Sequence, residues 1–262
     1  MKYIQSGYKG AHEYVNVVPL GDLHIGSPHF DYSVLKRELE RIDAERENTR
    51  IIIMGDLIES ATKTSVGAGV YEQQMMPMEQ INKAVEILRP YADLIDGVVV
   101  GNHEQRIYKA SGVDVMEHFC VKLGIPDRYL RYYGVVKYAW NKRCYNVAVW
   151  HGAGGGSTTG GAMNKIEKQA SVVFADVFLM GHVHKRAATM RDLYVPDPQN
   201  GRINRITQHF VITGSALDHE DSYAEEMGLP PSTKGFPRIK LGGRTLKKGR
   251  RTKRLKEVEV YI

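Results

Sequence analysis

Residues 15–24 read Val-Asn-Val-Val-Pro-Leu-Gly-Asp-Leu-His. A β-branched and apolar run stops at a glycine, and an acid and an imidazole follow at once. The run reads as a buried strand, with Asp22 and His24 at its turn into a loop. The same pattern recurs down the chain. Residues 51–54 lead into Gly55-Asp56, and 98–100 into Gly101-Asn102-His103-Glu104. Residues 147–150 lead into His151-Gly152, and 177–180 into Gly181-His182-Val183-His184. A sixth apolar run, 210–213, ends without such a group.

Between the early runs lie amphipathic stretches. Residues 31–48 carry Val34, Leu35, Leu39 and Ile42 at helical spacing, 78–89 carry Ile81, Ala84, Val85 and Leu88, and 113–123 carry Val115, Met116, Phe119 and Leu123. Pro77 and Gly124 are suitable start and stop signals. Strands alternating with helices predict an α/β domain. Two loops stand out: 60–76, a long insertion, and 152–161, rich in glycine and read as mobile. After residue 215 the alternation fades, and two short strands are expected at 238–241 and 257–262. The division expected is a core over 1–218 and an extension over 219–262 that carries a basic segment and packs on the core.

Carboxylates, an amide and imidazoles thus collect where strands meet loops, the edge at which α/β sheets bind ligands. Asp, Asn and His without thiolate suit Mn²⁺, Fe or Zn²⁺ in a catalytic site better than a structural zinc site. In extended backbone residues i and i+2 point the same way, so Asp22 can converge with His24, and His182 with His184. The candidate ligands Asp22, His24, Asp56, Asn102, His151, His182 and His184 exceed what one ion needs. Two ions sharing a carboxylate use them well, and such pairs clamp both oxygens of a phosphoryl displacement.

The ordered set D-x-H, G-D, G-N-H-[DE], H, G-H-x-H, spanning Asp22 to His184, resembles the calcineurin-like metallophosphoesterase superfamily. The resemblance implies two packed mixed β-sheets flanked by helices, a four-layer sandwich. It implies one ion on Asp22, His24, Asp56 and His184 and another on Asp56, Asn102, His151 and His182, with Asp56 bridging. It implies that His103 meets the phosphate or protonates the leaving oxygen. Arg106 is a candidate for a phosphate oxygen. His12, His29, His118, His209 and His219 match no motif and read as ordinary histidines. Protein phosphatases of the superfamily show G-D-x-x-D-R-G at the second motif, whereas this chain has Gly55-Asp56-Leu57-Ile58-Glu59-Ser60 and lacks that arginine. The pattern is nearer the nuclease and phosphodiesterase branches, with Glu104 standing where those branches more often have Asp.

The net charge of +6 is uneven: residues 238–262 hold ten Lys and Arg against two Glu, so the rest of the chain is slightly acidic. A run from Arg244 to Lys256, including Lys248, Arg250 and Arg251, can neutralise several phosphates. It has no interleaved aromatics for stacking on bases, and a solvated hairpin tip or basic loop is the alternative reading. A DNA or RNA substrate is favoured over a small phosphodiester, a phosphoprotein or other monoester, and a non-catalytic partner-binding role. With 262 residues, of which 42% are hydrophobic, the chain can bury a core without staples. Cys120 and Cys144 are expected to be reduced thiols in a cytoplasmic protein. No signal-like segment and no run approaching about 18 apolar residues is present, so no membrane association is expected. A homo-oligomer is compatible with the pattern, which identifies no dimer surface.

Overall fold

The computed structural model describes residues 1–262 except 11, 64, 66–68, 156–157 and 249–250; the side chains of 223, 247–248 and 251–254 are likewise not described. The chain order opens β1 (Lys2–Gln5), β2 (Val15–Leu20), α1 (Tyr32–Ala44), β3 (Thr49–Ile53), α2 (Gly69–Glu72), α3 (Pro77–Leu88), β4 (Ile95–Val99), α4 (Asn102–Ser111) and α5 (Val115–Leu123). It continues β5 (Tyr129–Arg131), β6 (Tyr133–Trp140), β7 (Arg143–Trp150), α6 (Thr159–Glu167), β8 (Val177–Met180), β9 (Arg186–Asp197) and β10 (Arg202–Thr213). It closes α7 (Tyr223–Glu226), β11 (Arg238–Gly242), β12 (Thr245–Lys248), β13 (Arg251–Arg254) and β14 (Glu257–Tyr261).

Two mixed sheets of six strands form the centre, ordered β1-β6-β7-β8-β10-β9 and β14-β11-β2-β3-β4-β5. Strands buried on both faces read as unbroken apolar runs, which is why β2 and β3 are so legible. Their side chains alternate between two cores. Val15 and Val17 join Val99, Val136, Val147, Val211 and Ile239 between the sheets. Val18 and Leu20 face Leu35, Ile81, Phe119 and other residues of α1, α3 and α5. On the far side, Phe178 and Phe210 pack against Ala162 and Ile166 of α6. The expected layering of helix, sheet, sheet and helix is what forms.

Local chemistry sets the helix ends. The Asp31 carboxylate accepts the Ser33 N–H at 3.0 Å and starts α1. Glu79 accepts the Met76 N–H at 2.8 Å, with Pro77 in the first helical turn of α3. Gly124, at φ 77°, ends α5 in the left-handed conformation that glycine adopts freely. Helix α1 is shorter than expected: it stops at Ala44, and a 3₁₀ turn, Arg46–Asn48, carries the chain into β3.

β2, β3 and β4 are mutually parallel, as are β7, β8 and β10. Their C-terminal ends therefore share one edge. β11 inserts beside β2 antiparallel, with Ile239 opposite Val17 and Leu241 opposite Val15. Beyond Gly242, β12 and β13 pair as a separate basic hairpin. Among the described residues no helix is long and apolar enough to cross a membrane.

Ile239 and Leu241 are fully buried between the sheets. Ile239→Ala should cost about 2–4 kcal/mol, measured by urea unfolding. A loss below about 1 kcal/mol would mean that β11 is a removable appendage and not part of the core.

Candidate metal centre

The first two strand-end loops run side by side and brace each other. The N–H of Asp22 donates to Gly55 O at 3.0 Å, those of Leu23 and His24 to Asp56 O at 2.9 and 3.0 Å, and that of Ile25 to Leu57 O at 3.0 Å. The extended geometry expected for the D-x-H and H-x-H pairs is not what forms. Asp22, His24, Asp56, His182 and His184 all have positive φ, from 45° to 70°. Asp, Asn and His tolerate this left-handed region better than most residues, but each still costs about 1–3 kcal/mol. The side chains converge because the backbone curls around a common point, not because a straight strand aims alternate residues one way.

All seven candidate ligands meet there. His24 Nε2 and His184 Nε2 are 3.3 Å apart, and His184 Nε2 is 3.3 Å from Asp22 Oδ1. In a second group Asn102 Oδ1 lies 3.1 Å from His151 Nε2 and 2.7 Å from His182 Nδ1. Asp56 Oδ2 stands between the groups, 3.3 Å from His151 Nε2 and 3.9 Å from His24 Nε2. Asp22, His24, Asp56 and His151 are buried, while the His184 side chain is 34% exposed and opens the centre to solvent.

The outer ring nitrogens fix what faces inward. His151 Nδ1–H donates to Met54 O at 2.7 Å, and His24 Nδ1 lies 3.0 Å from the Glu59 carboxylate, whose only role there is acceptor. The Nε2 lone pairs then face oxygens and another Nε2, so acceptors confront acceptors. Only a positive charge between them relieves this. In protein atoms alone that charge is a proton. Burial would lower His151, but Asp56 and Asp22 overcome it and push its pKa up to about 10. Burial would raise Asp56, but His151, His103 and His24 hold it well below the carboxylate range. Divalent cations among hard oxygens and imidazole nitrogens satisfy the same demand, so the donor set fits two of them.

Glycine is needed for close approach at two points. A Cβ on Gly101 would stand 2.1 Å from Asp56 Oδ1, and one on Gly181 2.6 Å from Asp22 Oδ2. The Asp22 carboxylate also accepts the His182 N–H at 3.0 Å, tying the fifth loop to the first.

His103 is the second residue of α4 and lies beside the cluster. Its N–H donates to Asp56 Oδ1 at 2.9 Å, its Nδ1–H to Glu59 O at 2.7 Å, and its ring meets His24 edge to face with centroids 4.2 Å apart. Burial, then the His24 charge, lowers its pKa to about 4. His103 is thus neutral at pH 7, with Nδ1 its protonated nitrogen. Arg106 sits 3.0–3.1 Å from both ring nitrogens and 3.9 Å from Glu59 Oε1, so it is engaged with its neighbours although its side chain is 26% exposed.

Two residues of the site were not expected. Glu59 orients His24 and, through its carbonyl, His103. Glu104 is 1% exposed and accepts four backbone N–H groups: Leu57 and Ile58 on Oε1 at 2.6 and 3.1 Å, Gly101 and Asp56 on Oε2 at 2.9 and 3.1 Å. Burial and the neighbouring Asp56 push its pKa up to about 7, against the Ile58 and Gly101 N–H groups and the His151 charge. The available signal was the acid itself three residues into a helix that begins at a glycine, the position from which Glu reaches back to free N–H groups.

The basic segment lies elsewhere. β11 runs antiparallel to β2 and passes its first residue before the hairpin begins. At about 3.3 Å per residue, β2 puts the hairpin base about 20 Å from Asp22 along the strand direction. Lys248 and Arg251 belong to this hairpin, with side chains outside those described, and Arg250 lies outside the described residues altogether. The backbone of Lys248 and Arg251 is therefore not brought to the metal centre. Arg238, Lys240, Arg244 and Lys256 pair with Glu38, Glu259, Glu257 and Asp176, so part of the tail's charge is neutralised within the fold.

The pattern of the calcineurin-like phosphoesterase family matches residues 16–186, well over half of the chain. Among curated proteins none matches in sequence. Solved structures similar to the chain include an uncharacterized protein described as a predicted phosphoesterase from Streptococcus pneumoniae (13% identity, 94% of this chain and 100% of that one, TM-score 0.37). Others are GAP50, described as the anchor in the inner membrane complex of Plasmodium (12%, 88% and 82%, 0.45), and a hypothetical protein from Thermus thermophilus (12%, 95% and 100%, 0.39).

Glu104→Gln keeps the size of the side chain but turns an amide NH₂ toward backbone donors. It should cost about 2–4 kcal/mol of stability by urea unfolding and weaken Mn²⁺ binding in a calorimetric titration. Unchanged stability would mean that these N–H groups find water as readily as Glu104.

Proposed function

The chain belongs to the calcineurin-like phosphoesterase family and so hydrolyses phosphoesters with metal; from that premise we propose that its substrates are phosphodiesters, with nucleic acid favoured. The observation that carries the chemistry is the convergence of seven oxygen and nitrogen ligands on two adjoining points with Asp56 between them. In this reading Asp22, His24, Asp56 and His184 hold one ion, and Asp56, Asn102, His151 and His182 the other, with Mn²⁺ the preferred metal. When bound, the ions supply Lewis-acid activation of water and of the phosphoryl oxygens.

The chain's own residues then do three things. Glu59 and the Met54 carbonyl fix the His24 and His151 rings, so the inward nitrogens need no reorganisation during reaction. Glu104 keeps the 55–58 loop rigid beneath Asp56. His103, neutral and anchored on Glu59 O through Nδ1–H, presents Nε2 on the Asp56 side, 3.9 Å from Oδ2. Once Nε2 has gained a proton and left Arg106, it can donate to a phosphate oxygen and pass that proton to the departing oxygen.

A diester is favoured over a monoester because the Gly55 to Ser60 stretch has no arginine to grip a dianionic terminal phosphate. Arg106, three residues after His103, is already committed to His103 and Glu59. Nucleic acid is favoured by the exposed mouth at His184 and by the guanidinium group of Arg186 two residues beyond it. The basic hairpin, far from the centre, would serve as a remote contact for a polymer. We divide the chain into a catalytic core over 1–218 and an extension over 219–262 that lends β11 and β14 to the second sheet. A cytoplasmic setting suits the two free thiols, Cys120 and Cys144.

With Mn²⁺, bis-p-nitrophenyl phosphate should turn over faster than p-nitrophenyl phosphate. Asp56→Ala should abolish both activities and metal binding. His103→Ala should keep metal and lose about 10²-fold or more in kcat. A preference for the monoester would overturn the diester reading, and normal turnover by His103→Ala would remove its assigned role.

A further inference from the structure

A cleft of about 290 Å³ opens between α1 and the start of β9, carrying Arg37, Arg41, Arg186 and Lys234 over a floor that includes Val34 and Phe236. The β9 wall begins at residues next to the metal centre. Arg186 follows His184 by two residues, so their Cα atoms are at most about 8 Å apart. On the same wall Gly235 N–H donates to Ser215 O at 2.9 Å, and the following Ala216 N–H donates to Asp22 O at 3.2 Å. This wall of the cleft is thus an extension of the Asp22 and His184 side of the centre.

Its charge is unbalanced in a specific way. Lys234 is held by Asp31 and Asp218. Glu38, the one acid in the lining, is matched by Arg238 at 3.0 Å and by Arg41 at 3.5 Å, and the Arg41 side chain is 62% exposed. Arg37 and Arg186 have no hydrogen-bond or ion-pair partner for their guanidinium groups among the described residues. Arg186 is nevertheless seated closely. A Cβ on Gly235, whose φ is 122°, would stand 2.9 Å from its terminal nitrogen, so a bare glycine makes the room for this side chain. Arg238 Nη2, on the residue that matches Glu38, is buried without a partner as well. Guanidinium groups held apart from carboxylates and facing one cleft form a receptor for a phosphate, which they can bind through paired N–H groups.

We propose that this cleft seats a phosphate of the substrate strand adjacent to the scissile one, with Arg37 and Arg186 as its principal ligands. The inference rests on the nucleic-acid reading above and deepens it. It supplies what the distant basic hairpin cannot: contacts close enough to place one particular phosphodiester over the metals. A substrate with a single phosphate, such as a p-nitrophenyl ester, reaches the centre without touching it.

The test uses the Mn²⁺-loaded full chain and a labelled phosphorothioate tetranucleotide, with binding read by fluorescence anisotropy across a salt series. Arg37→Gln and Arg186→Gln should each weaken binding about three- to tenfold and make the salt dependence shallower by about 0.7 in log–log slope, the change for one lost phosphate contact on a single strand. Arg37→Lys should restore the slope, since it restores the charge. Tetranucleotide affinities and slopes unchanged in both Gln variants would overturn the subsite while leaving the nuclease reading standing. A wild-type protein that hydrolyses bis-p-nitrophenyl phosphate but binds no tetranucleotide would overturn the nucleic-acid reading, and the subsite with it.

Discussion

Glu104 accepts backbone N–H groups from the ends of two neighbouring strands, at Asp56, Leu57, Ile58 and Gly101, in a place that water does not reach. The rest of the centre depends on this contact. It closes the second loop over a carboxylate and thereby sets the left-handed backbone at Asp56. The first loop hydrogen-bonds to the second along Asp22 to Ile25, and the fifth is tied to the first through Asp22 and His182. Displacing one element therefore moves ligands of both groups. Four N–H donors on one anion are also a way to bury a charge whose desolvation would otherwise cost several kcal/mol.

The same logic of burial explains why the centre calls for cations. Asp22 and Asp56 are fully buried beside four imidazoles whose outer nitrogens are in part already committed. Without metal, protons must fill the gap, and His151 is driven to hold one far above its usual range. Metal binding and proton release are therefore coupled here, and affinity should fall as the solution is acidified. The strain of five positive-φ ligands is offset by the loop hydrogen bonds.

Much of this was legible in the sequence because buried parallel strands leave a plain mark. β2, β3, β7 and β8 are short apolar runs, and the ligands follow at their ends. Elements with mixed exposure left weaker marks. α4 has only Glu104 among its buried residues, so it has no apolar stripe to announce a helix. β9 alternates exposed and half-buried residues, with Tyr194 and Met190 outward, and reads as irregular polar chain until β10 is laid beside it. The geometry of D-x-H was misread because periodicity says nothing about a turn to positive φ. The place of the basic hairpin was not legible because composition carries no direction: the antiparallel entry of β11 sends the charge away from the metals. Glu59 and Glu104 were visible as acids but not as supports, since the His24 ring that Glu59 meets and most of the backbone groups that Glu104 meets are distant in sequence.

The central claim is that seven side chains make a site for two ions that share Asp56. The direct measurement is metal content per chain, by elemental analysis after loading with Mn²⁺ and desalting, for wild type and for Asp56→Asn. The account predicts two ions per wild-type chain and the loss of both in the variant, with the fold retained by circular dichroism. One ion per wild-type chain, or two ions retained by Asp56→Asn, would contradict it.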